Sequence, residues 1–151
     1  MKKAWAAKNG FTIIELIVAI VVIGIIASIM IVSYTGVQQR ARDSERGSHV
    51  TELKIALEKY RAENGSYPGV CPGGDGSGCA VSELTAALQP YTNTIPHDPR
   101  FTADSPEDYR YVRGAVETGS YAIRINYEAR AICKTGTNVA LGWWTSALPI
   151  C

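Results

Sequence analysis

The sequence contains few groups that could carry catalysis or bind a metal ion. It has only two histidines among 151 residues, and these two, His49 and His97, belong to different segments. No serine elbow, carboxylate dyad or metal-binding histidine pair is present. The glycine-rich stretch at 71–79 lacks the Gly-Lys-Ser/Thr ending of a phosphate-binding loop. We therefore expect a protein that is not an enzyme and that holds no cofactor.

An excess of positive charge is also missing. Lys2, Lys3 and Lys8 lie in the first ten residues, and removing these three from the 15 basic residues leaves 12 against 14 acidic ones. This balance argues against a strongly basic surface for nucleic acid. Five arginines do interleave with tyrosines further along, namely Arg100, Arg110, Arg113, Arg124 and Arg130. Side chains alternate between the two faces of a strand, and a solvated face of the sheet explains these arginines equally well. Nucleic acid is therefore only weakly supported as a partner.

Proline is absent between Phe11 and Gly65, and charge is nearly absent from the first part of that stretch. The apolar run from Phe11 to Val32 contains a single charged residue, Glu15. About 22 helical residues reach roughly 33 Å, which matches a bilayer hydrocarbon thickness of about 30 Å. We therefore expect a transmembrane helix over 11–32. A carboxylate near the start of such a helix is costly in a membrane, which makes Glu15 a functional candidate.

A small residue, Gly10, stands before this apolar run. A secretory signal has its cleavage site after its apolar core, whereas cleavage at Gly10 would leave the whole helix in the mature protein. Gly10, Phe11 and Glu15 together resemble the class III signal of type IV prepilins and of type II secretion pseudopilins. The resemblance implies that a prepilin peptidase cuts after Gly10 and methylates the new N-terminal Phe11. It also implies that Glu15 guides subunit assembly.

The helix is expected to continue beyond the apolar run as an amphipathic half. Four apolar residues recur at helical spacing on one face, namely Val50, Leu53, Leu57 and Tyr60. Asn64-Gly65 predicts the end of the helix. The Gly-x-Tyr-Pro sequence at 65–68 resembles the turn that follows this helix in pilins and pseudopilins.

The second half of the chain has the short alternating patterns of β-strands. We expect strands at 109–113 and 121–131, the second long enough to bend or break near Glu128, then a turn at 134–138 and a final strand at 139–144. The fold class is therefore α+β: one long N-terminal helix, with a membrane half and an amphipathic half, packed on a small antiparallel sheet as in pilins. The expected organisation is a cleaved leader (1–10), a transmembrane assembly helix (11–32), an amphipathic extension (33–65) and a globular β head (66–151).

All four cysteines follow the apolar run. If the leader lysines hold the N-terminus in the cytoplasm, every cysteine lies outside, where disulfides persist. Four cysteines allow three pairings. We favour Cys71–Cys79, which closes the glycine-rich loop, and Cys133–Cys151, which resembles the C-terminal disulfide of many type IV pilins. A zinc site is the competing explanation, but no Cys-x-x-Cys pair is present.

Acidic side chains offer a further alternative. Asp98, Asp104 and Asp108 could give oxygen ligands to calcium, which pseudopilins of the major class bind near their C-terminal loops. An acidic C-terminal loop of that kind is not recognisable, since no Asp or Glu follows Glu128. We therefore expect these three aspartates to be solvated and no metal to be bound.

The resemblance leaves the exact role open. The C-terminal cysteine pair and the missing calcium loop favour the structural subunit of a type IV pilus-like surface filament for adhesion, motility or DNA uptake. The Pro-x-Asp-Pro sequence at 96–99 favours instead a pseudopilin of a type II secretion system. A third alternative is a signal-anchored extracytoplasmic protein that never polymerises.

The expected partners and location follow from the pilus interpretation. The partners are other copies of the chain in a homopolymeric helical filament, the prepilin peptidase, and the assembly platform in the cytoplasmic membrane. Before assembly the subunit is expected to cross the cytoplasmic membrane once, with its N-terminus in the cytoplasm. After assembly it is expected in an extracellular pilus.

Overall fold

The fold is α+β, with one long N-terminal helix and a small antiparallel sheet. The computed structural model describes residues 10–69, 78–102, 107–114, 119–140, 142–144 and 148–151. The helices are α1 (Ile13–Asn64) and α2 (Thr85–Leu88), the latter preceded by a 3-10 turn at Val81–Leu84. The strands are β1 (Cys79–Ala80), β2 (Arg110–Arg113), β3 (Tyr121–Ile125) and β4 (Cys133–Thr137), which form one antiparallel sheet in the order β1-β2-β3-β4.

Helix α1 runs for 52 residues without a proline and ends where the sequence predicts. Gly65, the residue after its last turn, has a φ of 75°, a left-handed conformation that glycine adopts without steric cost. The chain divides into two compact units, Met1–Gln38 and Gln39–Cys151, and α1 contributes residues to both. By length and composition alone, α1 could cross a membrane with its apolar part.

The core of the second unit forms between the amphipathic part of α1 and the inner face of the sheet. Val50, Leu53 and Leu57 are buried, and Tyr60 packs against them, which confirms the predicted apolar face. The sheet contributes buried side chains from alternate positions, including Tyr111, Ile123 and Ile125, and the short helical segment adds Val81, Leu84 and Leu88. Helix α1 is therefore packed on the sheet through the stripe that its sequence spacing defines.

The predicted strand at 121–131 is interrupted, as its length suggested, and its regular part ends three residues before Glu128. Strand β3 stops at Ile125, and the backbone then turns toward α1. The amides of Glu128 and Ala129 donate hydrogen bonds to the two carboxylate oxygens of Asp43, each at 2.9 Å. These two amides are therefore hydrogen-bonded to a side chain of α1 and not to a neighbouring strand. The hydrogen-bond ladder of β3 ends because its next amides are engaged in this way.

The end of the sheet also differs from the sequence prediction. The segment expected to turn, at 134–138, lies largely in β4, while the described residues of the predicted final strand, 139, 140 and 142–144, form no strand. Gly136 lies opposite Ala122, and a Cβ at Gly136 would lie 2.1 Å from the carbonyl oxygen of Tyr121. The glycine that suggested a turn is thus the residue that allows two strands to approach closely. Asn138, with a φ of 49°, follows the strand.

Candidate filament-assembly site

The N-terminus of α1 is closed by a reciprocal pair of side chains. The Glu15 carboxylate accepts hydrogen bonds from the backbone amide of Thr12 at 2.8 Å and from its hydroxyl at 2.6 Å. In return, the Glu15 amide donates to the Thr12 hydroxyl at 3.3 Å. This is a capping box, in which a threonine at the N-cap and a glutamate three residues later satisfy amides that a helix start leaves unpaired.

The capping box was not predicted, although its Thr-x-x-Glu signature is visible in the sequence. It gives the Glu15 carboxylate a local partner within a single chain and holds it at the helix N-terminus, where the helix dipole favours negative charge. The Glu15 carboxylate is therefore hydrogen-bonded within its own chain although its segment is otherwise apolar.

The residues of the expected cleavage site lie just outside the helix. Gly10 and Phe11 precede the first helical residue, Ile13, and the Phe11 side chain is 90% exposed. A Cβ placed on Gly10 would meet no atom within 4 Å. The Gly10–Phe11 bond therefore lies in irregular, accessible backbone, which is the form of substrate that a peptidase can bind in extended conformation.

The apolar part of α1 is uncovered along its described length. Large side chains from Ile13 to Ile31 are each about half exposed or more, with Val22 at 48% the least exposed among them. Gly24 has open space around it, and the Ser28 hydroxyl is satisfied within the helix by the carbonyl of Ile25 at 2.7 Å. A continuous apolar surface of this kind marks a membrane or protein contact.

A buried cluster of charges joins α1 to two loops of the head. Arg46, only 2% exposed, donates two hydrogen bonds to Asp98, from Nε at 2.7 Å and from Nη2 at 2.9 Å. Its other contacts are with Asp43 at 2.8 Å and Glu128 at 2.9 Å. Arg42 adds a second two-point pair with Glu128, at 2.8 and 2.6 Å. These five residues form the charge cluster of the head.

Each carboxylate of this cluster has its charge compensated. Hydrogen bonds from Arg42, and then from Arg46, lower the pKa of Glu128 to about 2. Burial alone would raise the pKa of Asp43, but the amides of Glu128 and Ala129 together with Arg46 lower it below its ordinary value. Hydrogen bonding to Asp98 is foremost in raising the pKa of Arg46. Glu128 and Asp43 are therefore ionised around neutral pH, and the charge-assisted hydrogen bonds of the cluster fix the loops at 98 and 128 on the helix.

The expectation that the aspartates are solvated is wrong for two of the three. Asp98 is 7% exposed and Asp108 is 8% exposed. Asp108 accepts hydrogen bonds from the amides of Asp98 at 3.0 Å and Tyr109 at 2.8 Å, and its other oxygen lies 2.6 Å from Nδ1 of His97. Asp104 lies outside the described residues. Within the described ranges, no three His, Cys, Asp or Glu side chains are grouped as metal ligands would be.

The arginines expected on a solvated face are also largely engaged within the molecule. Arg113 donates to the carbonyl of Tyr67 at 3.2 Å, Arg110 donates to the carbonyl of Gly78 at 2.6 Å, and Arg130 stacks over the ring of Tyr127. Arg110, Arg113 and Arg124 are only partly exposed. Arg100 and Arg130, in contrast, are exposed.

Two of the cysteines are joined at the C-terminus. Cys133 and Cys151 form a disulfide with a Cα–Cα distance of 5.3 Å, the pairing that we favoured. The C-terminal segment also pairs with β4, because the amide of Lys134 donates to the carbonyl of Pro149 and the amide of Cys151 donates to the carbonyl of Lys134. Cys79 is disulfide-bonded as well, and Cys71, its expected partner, lies outside the described residues.

Comparison with known proteins places these features in a family. Residues 5–31 match the family described as the prokaryotic N-terminal methylation motif. The type II secretion system core protein G of Aeromonas hydrophila is 32% identical over 99 residues, which cover 61% of this chain and 67% of that protein. The protein of the same name from Dickeya chrysanthemi is 28% identical over 99 residues, covering 61% and 63%. That of Escherichia coli (strain K12) is 33% identical over 66 residues, covering 44% and 46%. No solved structure gives a significant match.

The chain belongs to the family of type IV pilins and type II secretion pseudopilins. Its match spans about half to two thirds of the length of the curated relatives compared above. The methylation motif covers Gly10, Phe11, Thr12 and Glu15, so the capping box and the expected cleavage bond lie within the matched segment. The family and the apolar helix together indicate a membrane-anchored protein.

Proposed function

We propose that the chain is a structural subunit of a pilin-like filament, assembled through α1 after cleavage between Gly10 and Phe11. The observation that carries this proposal is the uncovered apolar helix that follows Gly10-Phe11 and holds one carboxylate, Glu15, near its start. In the membrane this surface contacts lipid, and in a filament the same surface contacts other copies of the helix. The single chain thus has a surface for both environments and no internal partner for it among the described residues.

Glu15 acts in this account as the group that sets the position of an incoming subunit. Cleavage creates an ammonium group on Phe11, whose positive charge is as poorly solvated in an apolar setting as the negative charge of Glu15. Contact between Glu15 of one subunit and the Phe11 ammonium of the next neutralises both charges. The carboxylate leaves Thr12 to make that contact, so the capping box serves as the resting state of the free subunit.

The head contributes a rigid surface to the filament. The charge cluster fixes the loops at 98 and 128 on the part of α1 that belongs to the head, and the Cys133–Cys151 disulfide fixes the C-terminal segment on β4. A head held in this way keeps its shape under the shear and tension that act on a filament. Prepilin peptidase and an assembly platform in the cytoplasmic membrane are the further partners that this role requires.

Of the two narrower roles, we propose first a pseudopilin of a secretion system. This choice is supported by the relatives, since the three compared above are all named core protein G of the type II secretion system. Its filament would extend within the cell envelope and act on proteins in transit. The Pro-x-Asp-Pro sequence at 96–99 is consistent with this role, and Asp98 of that sequence anchors the loop to Arg46.

A surface pilus subunit is the second candidate, favoured by a specific observation. The Cys133–Cys151 disulfide encloses the C-terminal segment, and the last two residues of that segment, Ile150 and Cys151, are exposed. An exposed segment closed by a disulfide resembles the variable surface that many type IV pilins present on the outside of the fibre. In this role the filament would serve adhesion, motility or DNA uptake.

One experiment on native cells separates these roles. Surface material is sheared off, examined by electron microscopy and identified by mass spectrometry, while exported proteins are compared between wild-type and deletion strains. Long sheared filaments that contain the chain support a pilus, and loss of specific exported proteins without such filaments supports a pseudopilus. Finding only single subunits by cross-linking in the membrane, with normal export and no filaments, would contradict both and indicate an anchored protein that never polymerises.

A further inference from the structure

A pocket of about 350 Å³ lies on the head, between α1 and the loop that follows β3. It is lined by Arg40, Asp43 and Ser44 from the helix and by Ala129 and Arg130 from the loop. All five residues belong to the second compact unit of the chain. The hydrogen bonds from two loop amides to the Asp43 carboxylate hold the loop against the helix at this point. The pocket is therefore formed by the fold of the head itself.

Two guanidinium groups are available at this pocket. Arg40 and Arg130 are exposed, and neither is paired with a carboxylate in the part of the chain that the structure describes. Arg130 is positioned by stacking on the ring of Tyr127, with its Cζ 4.3 Å from the ring centre. A guanidinium that stacks through its flat face keeps the N–H donors at its edge free for hydrogen bonds. The pocket thus offers two sets of charged donors.

The acids nearest to the pocket do not cancel this positive charge. Asp43 is only 2% exposed, and its carboxylate accepts hydrogen bonds from the two loop amides and from Arg46. Glu128, which precedes the lining residues of the loop, is paired with Arg42 and Arg46. Both carboxylates are therefore compensated by groups inside the charge cluster, and they leave the two exposed guanidiniums without a counter-charge.

The next acid along the helix points elsewhere. Glu45 follows Arg40 by five residues, which places the two side chains about 140° apart around a helix. Its carboxylate lies 3.8 Å from Nε2 of His49, and it does not line the pocket. The pocket consequently carries a net positive charge, and it suits an anionic ligand.

The position of Arg40 in the sequence indicates where such an anion would come from. Arg40 is the first charged residue after Glu15, so it is the first charge beyond the apolar run. Tyr34, an exposed aromatic residue of the type enriched at membrane–water interfaces, precedes it by six residues, about 9 Å of helix. A long arginine side chain can extend toward the interface from such a position. Lipid headgroups are therefore the anions expected beside this part of α1.

We propose that this pocket binds the phosphate of an anionic phospholipid while the subunit is anchored in the membrane. The inference rests on the membrane anchorage that precedes assembly in the function proposed above. The phosphate oxygens accept hydrogen bonds from Arg40 and Arg130, since the guanidinium fork matches a phosphate in shape and charge. The Ser44 hydroxyl is a further donor. Phosphatidylglycerol is bound in preference to phosphatidylcholine, because its headgroup has no ammonium group to compensate the phosphate.

The test measures lipid binding to single subunits by native mass spectrometry. The processed full-length chain, in micelles of a neutral detergent, is titrated with phosphatidylglycerol or with phosphatidylcholine of the same acyl chains. We expect the first phosphatidylglycerol to bind about tenfold more tightly than phosphatidylcholine. Excess inorganic phosphate should not displace it, because the acyl chains of the lipid also remain in the micelle with α1. Equal affinities for the two lipids would overturn the proposal, and complete displacement by inorganic phosphate would overturn the assignment to a lipid.

Variants assign the preference to the pocket. Arg40→Gln and Arg130→Gln should each weaken phosphatidylglycerol binding by about fivefold, with little change for phosphatidylcholine. Lys59→Gln is the matched control, since it removes one exposed positive charge from the same helix outside the pocket and should leave the preference unchanged. An equal loss in Lys59→Gln would show that net charge and not the pocket selects the lipid, and would overturn the proposal. Because single subunits are measured, a negative result would leave the proposed filament role unaffected.

Discussion

Arg46 and Asp98 form a two-point ion pair between α1 and the loop before β2, with Nε–Oδ2 at 2.7 Å and Nη2–Oδ1 at 2.9 Å. The two residues are 52 positions apart in the sequence, and both are almost fully buried. Asp43 contacts Nη1 and Glu128 contacts Nη2 of the same guanidinium. One arginine thereby connects the helix to two loops of the head.

Arg46→Gln should destabilise the head severely. The substitution leaves the carboxylates of Asp43, Asp98 and Glu128 close together without their main counter-charge, and breaking a buried ion pair costs about 3 to 5 kcal/mol. We expect a loss of that size in the free energy of unfolding, measured by denaturant titration of the processed chain in detergent micelles. Arg40→Gln, an exposed change on the same helix, should alter it by about 0.5 kcal/mol or less. Equal effects of the two substitutions would show that the cluster does not hold the head together.

Acid should weaken the same cluster over a defined pH range. The folded pKa of Glu128 is about 2, below its ordinary 4.5, and Arg42 is the main cause. A carboxyl group whose pKa is lowered by folding stabilises the protein above its unfolded pKa, and that contribution is lost as pH falls through the folded pKa. The contribution of Glu128 should therefore be complete above about pH 5 and should decline from there to pH 2, by about 3 kcal/mol in all.

The test of this pH dependence compares the unsubstituted chain with Glu128→Gln. The variant should be less stable at pH 7, and its free energy of unfolding should fall less steeply between pH 5 and pH 2, as followed by near-ultraviolet circular dichroism. Parallel curves for the two proteins across that range would contradict the role of Glu128 in acid sensitivity.

Gly136→Ala should destabilise the sheet although it adds only a methyl group. The new Cβ would lie 2.1 Å from the carbonyl oxygen of Tyr121 and 2.8 Å from Cα of Ala122, so the backbone of β3 or β4 must move. Overpacking of this kind costs about 1 to 3 kcal/mol. Gly142→Ala is the matched control, because a Cβ there meets no atom within 4 Å. The midpoint of thermal unfolding should be lower for Gly136→Ala than for the unsubstituted chain and unchanged for Gly142→Ala. An unchanged midpoint for Gly136→Ala would mean that β3 and β4 are not paired as described.

The sequence predicts those parts of the fold that depend on local spacing. The buried face at Val50, Leu53 and Leu57 follows from helical periodicity, and the helix end follows from Asn64-Gly65. Sequence patterns fail where a distant side chain decides the backbone path. Strand β3 ends because Asp43 captures two amides near Glu128, and a glycine that suggests a turn instead permits close strand pairing. Neither relation is visible in the spacing of nearby residues.

The residues of the candidate site and of the charge cluster also differ in how far the sequence predicts them. The roles of Gly10, Phe11 and Glu15 are predicted from a short motif, because the motif depends on neighbouring positions, and they stay predictions. The capping box of Thr12 and Glu15 is equally local, and its Thr-x-x-Glu signature could have been found. The charge cluster could not, because Arg46 and Glu128 become neighbours only when the chain folds. Asp98 was therefore expected to be solvated when it is in fact buried and paired.

The assembly role of Glu15 is the central claim, and Glu15→Val tests it. Among the residues that the structure describes, the carboxylate hydrogen-bonds to Thr12, so a purely local role would be to cap the helix. Thr12→Val removes the capping hydroxyl but keeps the charge of Glu15, and it serves as the matched control. Glu15→Val removes a charge from an apolar segment and so lowers the cost of residing in the membrane. Processing, membrane insertion and disulfide formation should be intact in both variants.

The deciding measurement is the number of filaments per cell, counted by electron microscopy at matched amounts of processed subunit. Under conditions in which the unsubstituted chain forms countable filaments, we expect Glu15→Val to form few or none and Thr12→Val to retain most of them. Filaments of Glu15→Val in the numbers formed by the unsubstituted chain would contradict the assembly role of Glu15.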